Sequence, residues 1–212
     1  MADRQFALYS VDDESLTFYR CGRIPVVGTE FAGKHVTKVF ENLNDHCWST
    51  DAIADRVTRV SVANGGIKPR KLCHWFNRFG NLHAADLEKL DTTYTTAAQG
   101  LFESCGNLEL VRMPRFGMPL VADVSRMFYG CKSLERLGMD GFDLYSAVDL
   151  HEMFCGCERL RKIGAETWNV SRAVDLNRMF YGCMNLSEDL SSWTLENWRE
   201  NARFNTGAPG VI

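Results

Sequence analysis

The dipeptide Met-Phe recurs at 127/128, 153/154 and 179/180, a constant step of 26 residues, and the same step carried backwards lands on Leu101/Phe102 and Trp75/Phe76. Other columns keep this register: Cys105, Cys131, Cys157 and Cys183, with Phe79 in the slot before them; Leu82, Leu108, Leu134, Leu160 and Leu186; and Leu90, Phe116, Phe142 and Trp168. A unit of this size cannot bury both of its faces alone. Like units must therefore stack, each covering the same columns of its neighbour, which predicts a solenoid. About five 26-residue repeats fill 73–204, behind a capping region at 1–72 and ahead of a mobile tail at 205–212.

Within one coil, Leu150, Met153, Phe154 and Cys157 fall at i, i+3, i+4 and i+7, the spacing of one helix face, and Leu176, Met179, Phe180 and Cys183 repeat it. Asp123, Asp149 and Asp175 stand ahead of these sets as caps, and Gly130, Gly156 and Gly182 stand behind them as left-handed stops. Each coil is thus expected to carry a short helical turn. After it, Leu134, Leu137 and Met139, or Leu160 and Ile163, bounded in the first case by Asp140-Gly141, read as a short strand. The predicted fold class is an α/β solenoid, a leucine-rich-repeat-like coil with a β-rich N-terminal cap. In that cap, residues 6–10 and 16–20 read as a hairpin and 57–62 as a strand. Near the other end, a helical stretch from Leu195 to Phe204 is expected to close the last coil with Trp198 and Phe204.

The run from Trp168 to Cys183, WNVSRAVDLNRMFYGC, resembles the repeat of the BspA-like leucine-rich-repeat surface proteins of bacteria. Those repeats run roughly W-D-x-S-x-V-T-D-M-S-x-M-F-x-G-C-x-x-L. The opening hairpin and Trp75-Phe76 resemble the cap that precedes such repeats, so the likeness covers nearly the whole chain. It implies a binding and often adhesive role without a shared catalytic site. The chain differs in having Val-Asp-Leu where that family has Thr-Asp-Met.

Composition narrows the chemistry. With 45% hydrophobic residues, a globule of 212 residues buries roughly 70% of its unfolded surface, so disorder is excluded as the main state. No apolar run reaches the ~18 residues of a membrane span, and Met1-Ala-Asp-Arg lacks a secretory apolar region, so a cytoplasmic protein is expected if Met1 is the native start, and a cell-surface one if a leader is missing. A net charge of −3 argues against a general nucleic-acid binder, although 56–80 holds Arg56, Arg59, Lys68, Arg70, Lys71 and Arg78 with no acid, a basic stretch open to phosphate. The four in-register cysteines replace an apolar slot and are expected to be reduced, buried thiols. Cys155-Gly-Cys157 is too short for a zinc pair, and none of the five histidines is spaced to activate a cysteine, so no metal, cofactor or enzymatic activity is expected.

A surface remains. Strand positions expected to point outward are Glu109, Leu110 and Arg112, then Glu135, Arg136 and Gly138, then Arg161, Lys162 and Gly164; on the turn side Glu103, Tyr129 and Tyr181 are expected to be exposed. Arg112, Glu135, Arg136, Arg161, Lys162, Tyr129 and Tyr181 are the candidate partner-binding residues. The leading expectation is a non-catalytic protein-binding module that antagonises a larger intracellular complex, a habit suited to a phage or mobile element. The alternatives are a surface adhesin and, more weakly, nucleic-acid or phosphate binding through 56–80.

Overall fold

The computed structural model describes residues 3–44, 47–114, 117–139, 144–195 and 203–211, with the backbone alone at Cys47. Phe116, Phe142, Asp140, Gly141 and Trp198 lie outside the described residues. The chain opens with a hairpin of β1 (Arg4–Ser10) and β2 (Ser15–Cys21), followed by the two-residue strands β3 (Glu30–Phe31) and β4 (Lys34–His35) and by β5 (Lys38–Phe40). One short strand per coil then follows: β6 (Arg59–Val62), β7 (Ala84–Asp86), β8 (Leu110–Arg112) and β9 (Arg136–Gly138). The main sheet has the order β5-β1-β2-β6-β7-β8-β9, antiparallel within the cap and parallel from β2 onward.

Register follows the apolar column. Leu16 pairs with Val60, Val60 with Ala85, Ala85 with Val111 and Val111 with Leu137, all of them buried. Alternate residues face outward, because successive side chains of a strand point to opposite sides. The hairpin is apolar on both faces. Tyr9, Leu16 and Phe18 join the main core, whereas Phe6, Leu8 and Tyr19 pack on the other side against Val36 and Phe31. The cap thereby seals the first coil: Phe18 stacks on Trp75 at 5.2 Å, and the Trp48 indole N–H donates to the Trp75 carbonyl at 2.8 Å.

The segments expected to be helical are not helices; the described residues contain no α-helix, only two 3-10 turns at Cys47–Thr50 and Ala165–Thr167, and the fold is a β-solenoid of about five turns. Hydrogen bonding gives the reason. Between 124 and 131 the N–H groups of Met127, Tyr129 and Cys131 close tight turns onto Val124, Arg126 and Phe128, while those of Val124, Arg126, Phe128 and Gly130 donate to Asp149, His151, Met153 and Cys155 in the next coil. Alternate amides are thus spent between coils, and a helix would need every one for its own i−4 carbonyl. The path requires left-handed residues at intervals, and it takes them at Arg126, Glu152 and Arg178 (φ 55, 53 and 55°) as well as at Gly130, Gly156 and Gly182. The Asp column caps these turns instead of helices: the Oδ1 atoms of Asp123, Asp149 and Asp175 accept the amides of Ser125, His151 and Asn177.

Stacking forms the core. Phe76, Phe102, Phe128, Phe154 and Phe180 lie face over face, with ring centroids 5.2 to 5.8 Å apart, and all are fully buried. Beside them the four cysteines occupy one row. Cys105, Cys131, Cys157 and Cys183 each donate the thiol to the carbonyl of Phe76, Phe102, Phe128 and Phe154, at 2.9 to 3.2 Å. No disulfide joins the described cysteines. The alternating column expected at 126/152/178 is also present: Arg126 lies 3.4 Å from Glu152, which lies 3.4 Å from Arg178.

At the C-terminal end the expected helix is absent where it can be seen, since 203–207 form a turn. Phe204 still closes the stack, edge-on to Phe180 at 5.3 Å. The stretch expected to be a mobile tail pairs in parallel: β10 (Ser187–Glu188) takes β11 (Gly210–Val211), burying Ala208 and Val211.

Candidate functional site

The outward face of the parallel sheet is built from two rows. One runs Arg59, Ala84, Leu110 and Arg136, and the other Ser61, Asp86, Arg112 and Gly138. The coil after β9 continues the register with Lys162, Ile163 and Gly164 but forms no strand there. Glu188 supplies the cause. Its carboxylate, in a residue only 3% exposed, accepts the amides of Ile163, Gly164 and Ala165, so those donors leave the ladder. Burial pushes the Glu188 carboxyl above its ordinary range, and hydrogen bonding with Glu188 holds Glu166 below its own. Sequence reasoning missed Glu188, because a charged residue at an outward register position looks like solvent-facing surface.

Between β8 and Thr167 lies a cleft of about 610 Å³ that brings together Arg112, Glu135, Arg136, Arg161 and Lys162, five of the seven residues expected to bind a partner. Two glycines in register line it, Gly138 exposed and Gly164 buried, and so do Glu166 and Thr167, which sequence reasoning did not single out. The paired glycines were the available signal. Three of the charges are neutralised locally: Arg112 by Asp86 at 3.5 Å, Lys162 by Glu166 at 3.3 Å and Glu135 by Arg159.

The other two candidates stand elsewhere. Tyr129 and Tyr181 lie on the turn side, where Arg126 covers the Tyr129 ring at 4.4 Å and Arg178 the Tyr181 ring at 5.8 Å. Tyr181 is exposed and Tyr129 half-buried. Glu103, expected to be exposed, is mostly buried, because Arg126 and His74 draw its carboxylate in at 2.9 and 3.6 Å. The residues of the basic stretch are carried by several elements. Arg59 stands on the sheet face, Lys71 on a separate bridge ladder beside Ala97, and Lys68 is bound to Asp91 at 3.1 Å; Arg56 and Arg70 are exposed as well. Tyr94, Leu120, Tyr145 and Val148, which were not anticipated from sequence, are exposed as well.

Asp149, His151 and Asp175 are a group among the described residues whose donor atoms lie within 4.8 Å of one another, as a metal site requires. Their atoms are already engaged in the turn. His151 Nδ1 is 2.7 Å from Asp149 Oδ1, and both aspartates accept backbone amides through Oδ1. The four stacked thiols hold their protons, since burial pushes Cys105 and Cys183 up to about 12 and Cys131 and Cys157 well above the ordinary thiol value of 9.0.

Parallel coils, one-residue-per-turn ladders and an open sheet face define the molecule as a β-solenoid repeat protein. The chain belongs to the family described as "Mycoplasma protein of unknown function, DUF285", whose model matches residues 70–136 and 96–209, together more than half of its length. No curated protein and no solved structure matches it.

Proposed function

We propose that the protein is a non-catalytic binding scaffold that holds a protein partner across the outward face of its parallel sheet, and that it works inside the cell by occupying one surface of a larger assembly. The observation that carries this reading is the cleft lined by Arg112, Glu135, Arg136, Arg161 and Lys162, drawn from three successive coils. Solenoids present such laddered residues on a rigid surface, so little ordering entropy opposes association. The test is site-specific photo-crosslinking in the native host. A benzophenone side chain at Leu110, on the sheet face, is expected to capture one stoichiometric protein that the same group at exposed Met184 does not. Equal capture at both positions, or none at Leu110, sinks the reading.

The repeat's likeness to BspA-like surface proteins favours a second reading, an adhesin. Protease added to intact cells separates the two: degradation of the protein supports adhesion, and full protection supports the intracellular binder.

A further inference from the structure

The charges in the cleft do not cancel. Arg112, Lys162 and Glu135 each have an ionic partner, whereas Arg136 and Arg161, both exposed, have none among the described residues. Glu109 is also exposed, and it does not line the cleft. Two guanidiniums from neighbouring coils, neither with an ionic partner among the described residues, therefore line the cleft together with the exposed Gly138. The two glycines differ in origin. Gly164 has φ +73° and needs its freedom, but Gly138 has no positive φ, and a Cβ there meets nothing nearer than the Val111 carbonyl oxygen at 3.9 Å. Neither backbone nor packing demands glycine at 138, and what its absence of side chain does is keep the trough open.

We propose that this trough seats an extended acidic segment of the partner protein, with carboxylates taken by Arg136 and Arg161 and the main chain running over Gly138. The proposal rests on the reading of the sheet face as the binding surface and adds the chemistry of what binds. Guanidinium forks match carboxylates two bonds at a time. In an extended chain alternate side chains share one face, roughly 7 Å apart, so two carboxylates reach two arginines from one side. A polyphosphate fits less well, because Glu135 and Glu166 line the same cleft and repel an unbroken line of charge.

The experiment uses the full chain and three fluorescein-labelled probes, the peptides (Glu-Ala)5 and (Gln-Ala)5 and the oligonucleotide dT10, read by fluorescence anisotropy at about 0.15 M salt. The glutamate peptide is expected to saturate, and both other probes to bind at least about tenfold more weakly. Arg136→Glu and Arg161→Glu each weaken the glutamate peptide by about tenfold or more. Gly138→Phe does so as well, with thermal unfolding unchanged, since the strand position accepts a side chain. The proposal is overturned if the glutamate peptide fails to saturate, if dT10 binds as tightly, or if Gly138→Phe and both charge reversals leave binding unchanged. A partner crosslinked at Leu110 through a segment without acidic residues would remove this inference and leave the broader one standing; no partner at all would remove both.

Discussion

Phe154 touches the ring above it and the ring below it, at 5.8 and 5.5 Å, and is fully buried. Phe154→Ala therefore opens a cavity between two coils that the continuous backbone ladders prevent from collapsing. The expected cost is roughly 3 to 5 kcal/mol, read as a lower urea midpoint with an unchanged slope; a loss under about 1 kcal/mol would mean that the stack carries little of the stability. Such core residues were legible from sequence, because a side chain that recurs at a fixed step in a stacked repeat has its own kind for a neighbour. The glutamate at 188 was not legible. Its role depends on three amides that lie 23 to 25 residues away along the chain, and no local pattern records them.

At the scale of an element, the thiol row makes stability depend on pH. Cys105, Cys131, Cys157 and Cys183 hold their protons in the folded chain to higher pH than the ordinary thiol value of 9.0, because burial disfavours the thiolate. Their contribution is complete below pH 9 and is lost as pH rises from there toward about 12, the value of Cys105 and Cys183, since above 9 the unfolded chain gives up protons that the folded one keeps. Each thiol then costs about 1.4 kcal/mol per pH unit. Urea unfolding between pH 8 and pH 10.5 is expected to show a downward slope that Cys131→Ala with Cys157→Ala makes shallower by two protons. An unchanged slope in that double variant would remove the row as its source. The turn run beside the thiols departs most from the expected helix. Burial at i, i+3, i+4 and i+7 is common to a helix and to a run of tight turns facing a core, so the spacing of Leu150, Met153, Phe154 and Cys157 fixed which side chains go in without fixing where the amides point.

For the molecule as a whole, each coil bonds to its neighbours through like positions, so stability sums over adjacent coils. Removing residues 127–152 joins Arg126 to Met153, retains every column and is expected to leave a soluble protein with one cooperative unfolding transition. Removing 20 residues, 127–146, shifts the columns by six and is expected to leave none. Equal folding of both deletions would contradict the shared register. The 26-residue step by itself determined that this chain winds into stacked coils with aromatic, leucine and cysteine columns, because a side chain repeated at one step must meet its own copy. Only the tertiary structure decided that the coils are turns and strands, that Glu188 ends the sheet after β9, and that Arg136 and Arg161 share a cleft with Gly138 and have no ionic partner among the described residues. Those outcomes depend on hydrogen bonds and ion pairs between neighbouring coils, formed by partners that a single repeat does not contain.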